Sequence, residues 1–155
     1  MYSIEIRQLP VIRVAGLYHQ GAYQGIGATF ERLFALAAAR GLVGPQTRSF
    51  GIYHDDPSVT PAEALRAEAC LTVPEGFVAD GELAALEIPG GRHAVLLHVG
   101  SYADLPQAYG WLRQWLPKSG EEASGRPCVE EYLNDPRNTL PSELKTEISL
   151  PLRDR

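Results

Sequence analysis

The 155-residue sequence predicts an α+β fold made of duplicated strand-helix-strand-strand modules, with about eight antiparallel strands and two main helices around a central cleft. Three observations lead there: an internal repeat, one amphipathic helical stretch in each copy of it, and runs of strand-forming residues at matching offsets on either side of each helix. Pro10, Arg13, Ala15, Leu17, His19, Gly21 and Tyr23 recur without a gap as Pro89, Arg92, Ala94, Leu96, His98, Gly100 and Tyr102. The same offset carries Leu33 onto Leu112, Gly41 onto Gly120, Tyr53 onto Tyr132, Asp56-Pro57 onto Asp135-Pro136, Thr60 onto Thr139, Leu65 onto Leu144, Glu68 onto Glu147 and Leu71 onto Leu150. Roughly a quarter of positions 10 to 71 match, several times what composition alone produces, which identifies a duplication. The chain reads as one domain, 1–155, with a first repeat of about 1–76 and a second of about 80–155.

Each copy opens with strands. Tyr2 to Leu9 alternates and is broken at Pro10; Val11 to Gln20 holds β-branched and aromatic residues without helical spacing and stops at Gly21. From Tyr23, the apolar residues Ile26, Phe30, Leu33, Phe34 and Ala37 recur at three- and four-residue intervals up to Gly41, an amphipathic helix with a glycine C-cap. In the second copy Leu105, Tyr109, Leu112, Trp115 and Leu116 do the same, closed by Pro117 and Gly120. Arg48 to His54 and Cys128 to Asn134 are the next strands, each running into an Asp-Pro turn. Thr60-Pro61-Ala62-Glu63 reads as a Thr-capped helical turn before the strand Arg66 to Val73, which Lys145 to Leu150 repeats. Pro74 to Gly81 is a connector too short and too apolar for a free linker. One helix on a four-stranded sheet leaves the other sheet face needing cover, which two such halves can give each other, with a cleft at the seam.

Composition removes several functions. Lys and Arg number 14 against 19 Asp and Glu, a formal net charge of −5, which disfavours direct nucleic-acid binding because that affinity comes from cationic neutralisation. The longest apolar run, Leu33 to Ala39, is far short of the roughly twenty residues a bilayer crossing needs, and the first residues lack the pattern of a secretion signal. A cytoplasmic protein with no membrane partner is the expectation. Cys70 and Cys128 stand without a CxxC or Cys/His spacing and read as structural thiols. His19 and His98 are repeat-equivalent, which suits a hydrogen-bonding residue at a strand end; with no HxxxH pair, no metal is expected. There is no GxSxG elbow, GxGxxG fingerprint or phosphate loop, and no cofactor is implied.

Departures from the repeat are the better site candidates, because scaffold demands are shared by both copies while a ligand is met asymmetrically. The sharpest is Phe50-Gly51-Ile52-Tyr53 becoming Val129-Glu130-Glu131-Tyr132. On a strand Glu130 shares a face with Tyr132, and Glu131 with Val129 and Leu133. Glu130 is the choice for the cleft, as partner of a cationic ligand or as a general base; Glu131 reads as a solvent-facing edge residue. Tyr18, Tyr53, Trp111 and Tyr132 are candidate walls for a flat or cationic molecule. Trp111 stands where the first copy has Arg32, and Tyr109 and Trp115 read as core.

Gly21-Ala22-Tyr23 with Phe30 and Leu33, the stretch Phe50 to Pro57, Pro89 to Val95, and Pro127 to Asn134 resemble the GyrI-like small-molecule-binding family. The resemblance runs over nearly the whole chain. It implies two strand-helix-strand-strand modules around a central cavity, and a stand-alone binder of hydrophobic, cationic, drug- or toxin-like molecules. The family includes the gyrase-inhibitory protein of enterobacteria and effector-binding domains of AraC- and MerR-type regulators, so DNA gyrase or a transcription regulator is an implied partner. By the Pro-Cys-Val-Glu-Glu-Tyr match, the family's cavity glutamate falls on Glu130. Some members hydrolyse strained cyclopropane rings of DNA-alkylating natural products, which would make Glu130 the base and Tyr132 or Tyr53 the donor to the leaving oxygen. Since residue 1 already stands at the first strand, no helix-turn-helix reader is expected ahead of it.

Overall fold

The computed structural model describes residues 2–155. Its strands are β1 (Ile4–Leu9), β2 (Ile12–Gln20), β3 (Ser49–Tyr53), β4 (Arg66–Thr72), β5 (Ala84–Ile88), β6 (Gly91–Val99), β7 (Cys128–Tyr132) and β8 (Lys145–Pro151). The two main helices are α1 (Ile26–Ala39) and α2 (Leu105–Ser119), so the chain is α+β with eight antiparallel strands. Among the described residues no helix is long and apolar enough to cross a membrane.

The chain forms two compact units, one of Val11–Pro89 and one of the residues up to Pro10 together with Gly90–Arg155. In the first, strands lie in the order β3-β4-β2-β5; in the second, β1-β6-β8-β7. The leading strand of each sequence repeat is therefore exchanged: β1 pairs with β6, and β5 with β2. Pro10 and Pro89 stand at the two crossings, where a residue without an N–H ends the ladder. Duplication is kept to the level of single pairs. Val14 opposes Thr72 on β2 and β4 as their counterparts His93 and Pro151 do on β6 and β8, and Phe50 opposes Cys70 as Val129 opposes Ser149.

Each helix lays its apolar stripe on one face of its own sheet. Leu33 and Ala37 of α1 are buried with Ala15, Leu17, Ala69 and Leu71; Phe77 and Leu83 join them, so the connector is packed. Ala108 and Leu112 of α2 are buried with Ala94, Leu96, Ile148 and Leu152.

Local details differ from the sequence reading in two places. The second helix does not close at Pro117 but continues to Ser119 and ends at Gly120, whose φ of 77° is the left-handed cap. In the last turn the proline forfeits a single bond, and Ser119 Oγ donates to the Leu116 carbonyl at 2.7 Å. Thr60 makes no cap: its N–H bonds the Asp56 carbonyl at 3.0 Å, which ties it to the preceding Asp-Pro turn, and Pro61 takes the cap position of the short 3-10 turn Ala62–Ala64.

Leu33 and Leu112 are repeat-equivalent and lie 0% and 4% exposed under their helices. Truncating either to alanine is expected to cost about 2–5 kcal/mol, measured by denaturant unfolding. A loss below about 1 kcal/mol in either variant would mean that the helix does not rest on that residue.

Candidate functional site

Strand parity and helix docking together place a carboxylate under α2. Glu130 on β7 faces Ile148 on β8, and Ile148 belongs to the cluster that packs against α2. Glu130 and Tyr132 therefore point to the helix-covered face of this sheet, and Glu131 to the other. In the next row Tyr132 opposes Thr146, which opposes His98 on β6.

Glu130 is only 5% exposed. Two phenols hold it: Tyr109 of α2 donates to Oε2 at 2.5 Å and Tyr132 to Oε1 at 2.8 Å. Burial pushes the carboxyl above the ordinary glutamate range, while the bonds from Tyr109 and Tyr132 and the nearby His98 act the other way. Tyr102 meets the Tyr132 ring edge-on, with centroids 5.7 Å apart. Its hydroxyl is also raised, first by burial and then by the negative charges of Glu130 and Asp135.

The row ends in a second hydrogen-bonded group. His98, 2% exposed, uses Nε2 on the Ser101 carbonyl at 3.0 Å and Nδ1 on the Tyr2 hydroxyl at 2.9 Å. A carbonyl only accepts, so Nε2 carries a proton, and Nδ1 is the partner of the Tyr2 hydroxyl. Tyr2 in turn meets Trp111 edge-on at 5.9 Å, and Trp111 is 39% exposed. Between Tyr132 and His98, Thr146 Oγ1 is buried without a hydrogen-bond partner among the described residues.

Both ends of α2 are fastened. Ser101 Oγ accepts the Ala103 N–H in the 3-10 turn before the helix. Beyond its last turn the Glu121 carboxylate takes Arg92 at 2.8 and 3.0 Å and Arg155 at 2.7 Å, and these arginines hold it below the usual carboxylate range. Tyr109 is thus presented to Glu130 by a helix anchored on either side of it.

The first copy shows what the scaffold looks like without the acid. Gly51, Phe30, Tyr53, Tyr23 and His19 occupy the positions of Glu130, Tyr109, Tyr132, Tyr102 and His98. Tyr23 and Tyr53 keep the edge-on contact at 4.9 Å, and His19 Nε2 meets the Ala22 carbonyl at 3.1 Å as His98 meets that of Ser101. The strand-end role expected for both histidines is present. Phe30 packs on the α1 core with no hydroxyl to donate. Glycine-to-glutamate and phenylalanine-to-tyrosine changes thus fall on two residues that touch.

The sequence-predicted residues separate accordingly. Glu130 and Tyr132 are bonded to each other, and Trp111 lies in the same unit, linked to His98 through Tyr2. Tyr53 sits on the α1-covered face of the other unit, while Tyr18, 53% exposed, sits on the opposite face of that sheet. Glu131 is half-buried and has further partners, not the free solvent-facing residue of the sequence reading. Tyr109, assigned to packing by its helical spacing, is the residue that reasoning missed. Its paired difference from Phe30 was the available signal.

Tyr109→Phe removes a bond to an ionisable acceptor and is expected to cost about 1.5–3 kcal/mol near neutral pH in unfolding experiments. Because burial raises the folded-state value of Glu130, its ionisation opposes folding, and the parent loses stability relative to a non-ionising variant as pH rises through that value. The unfolding free energy of Glu130→Gln minus that of the parent is therefore expected to increase from about pH 4 to about pH 8; a flat or falling difference would contradict the burial of this charge.

Residues 2–153 match the GyrI-like small molecule binding domain family. The chain is 32% identical over 158 residues to the probable transcriptional regulator YgiV of Escherichia coli K12, covering 97% of this chain and 96% of that protein. It is 31% identical over 155 residues to the DNA gyrase inhibitor of Erwinia billingiae, covering 97% of each. In structure it resembles the C-terminal domain of EcmrR with a TM-score of 0.84 at 19% identity, covering 100% of this chain and 99% of that domain. Against the longer EcmrR chain seen in a complex with DNA the TM-score is 0.86 at 21% identity, and 58% of that chain is spanned. The sequence, from its second residue to its third from last, therefore belongs to the GyrI-like small-molecule-binding domains.

Proposed function

We propose that the protein binds hydrophobic organic cations of drug or toxin type through Glu130, with Tyr132, Tyr102, Tyr109 and Trp111 as the aromatic surroundings. Tyr53 and Tyr18 lie in the other unit and are candidates for ligand contact there. The observation that supports this reading is the carboxylate itself: a glutamate 5% exposed, kept by one copy of a duplicated scaffold where the other has glycine. A buried acid of this kind opposes folding unless it serves as a partner for charge.

The two phenols give the site a preference. Each Glu130 oxygen already accepts one hydrogen bond from a phenol, and a cation with spread charge and no N–H is drawn by the carboxylate's charge while leaving both bonds in place. Neighbouring aromatic faces add cation–π attraction for the same kind of ligand. Tetraphenylphosphonium is then expected to bind at least tenfold tighter than the uncharged triphenylphosphine oxide. Since Trp111 and Trp115 both lie on α2 and are the chain's two tryptophans, tryptophan fluorescence reads occupancy there. Glu130→Gln is expected to abolish the preference for charge, and equal affinities of parent and variant for tetraphenylphosphonium would remove Glu130 from the site.

A second reading takes the names of the relatives at face value. With a net charge of −5 and a relative named as a DNA gyrase inhibitor, the chain is a candidate gyrase-binding protein. A supercoiling assay with purified gyrase tests it, and undiminished supercoiling at a tenfold molar excess of this protein would exclude it.

A further inference from the structure

On the sheet of the Val11–Pro89 unit, the face turned away from α1 carries a second carboxylate in unusual company. Glu68 on β4 lies opposite Tyr18 on β2 and Ile52 on β3. His54, two residues past Ile52, is held in line with the strand by its N–H on the Arg66 carbonyl at 3.1 Å, and its Nε2 meets Glu68 Oε2. The side chains of His54 and Glu68 are 30% and 20% exposed, and Tyr18 is 53% exposed. Behind them Val14, Phe50, Ile52 and Cys70 are buried, so the carboxylate sits where a dry apolar face opens to water.

The repeat shows what is special here. Glu147 is the counterpart of Glu68, and it is met by the guanidinium of Arg7 at 3.3 Å, with Leu97 and Leu133 in the places of Tyr18 and His54. One copy thus neutralises its carboxylate with a permanent cation among leucines. The other sets it beside an exposed aromatic ring, with an imidazole as its partner.

We propose that Tyr18, Glu68 and His54 form a second binding site, for small quaternary ammonium ions, distinct from Glu130 and lying in the other unit. The ligand's charge rests against the Glu68 carboxylate and on the Tyr18 ring, and the His54 imidazole gives up its contact with Glu68. Tyr18 spends its hydroxyl on Gln20 Oε1 at 3.3 Å, which keeps its ring available. Arg66, two residues before Glu68 on β4, is engaged by Asp55 through Nε at 3.0 Å and Nη2 at 2.9 Å. That guanidinium holds the Asp55 carboxyl below its ordinary range.

The test is a titration of the whole chain with phenyltrimethylammonium, followed by NMR of tyrosines labelled in the ring. In the parent, the Tyr18 ring signals are expected to shift and saturate. Glu68→Gln is expected to weaken the Tyr18 response at least tenfold. His54→Gln, which removes the imidazole from Glu68, should keep the binding, and because it leaves Glu68 intact it serves where Glu68→Gln folds poorly. Glu130→Gln is expected to leave the Tyr18 response unchanged while removing the fluorescence response of α2, which separates failure of this site from failure of the one under the helix. An unaltered affinity in Glu68→Gln, loss of binding in His54→Gln, or loss of the Tyr18 response in Glu130→Gln would each overturn the proposal.

Discussion

A carboxylate cannot be put beneath a helix without partners, and the way Glu130 is satisfied governs the rest of this unit. Burial disfavours its charge, and two phenols answer with one hydrogen bond to each oxygen. One phenol comes from its own strand and the other from α2, so the helix cannot change position without disturbing the acid. The fastenings at Ser101 and at Glu121 acquire their meaning from this: they set the depth at which Tyr109 arrives. The same coupling runs in reverse, because anything that draws Glu130 away from Tyr109 acts directly on α2.

Duplication explains how such a costly group is tolerated. Strand registers are the same in both copies, pair by pair, and so are the edge-on tyrosine contact and the histidine bond at the strand end. That shared framework supplies stability twice over. Against it, single substitutions in one copy change the chemistry without changing the fold: glycine to glutamate with phenylalanine to tyrosine under α2, and leucine at 133 against histidine at 54 beside the equivalent carboxylate of the other unit. Exchange of β1 and β5 makes each unit depend on residues from the other repeat.

Much of the architecture was legible because it rests on short-range pattern. The three-and-four spacing from Ile26 to Ala37, the glycines at 41 and 120, and the alternation that puts Glu130 with Tyr132 are local properties, and an internal repeat lets each be read twice. Local reading failed where two residues distant in sequence meet. Tyr109 fits an apolar stripe by spacing alone, and nothing in its neighbourhood shows that its hydroxyl ends on a strand 21 residues away. Pro117 reads as a helix end because proline lacks an N–H, yet a cap formed two residues later tolerates it.

By itself the sequence determined the duplication, the α+β class, the order of strands and helices, and the asymmetric acid in the second copy, since all of these follow from periodicity and from comparing one half with the other. Only tertiary structure decided that the leading strands trade sheets, that Glu130 is clamped by Tyr109 as well as Tyr132, and that Tyr18 stands beside Glu68 and His54. Those outcomes depend on which strands pair and how a helix is seated, and pairing energy is shared among many residues rather than written at any one of them.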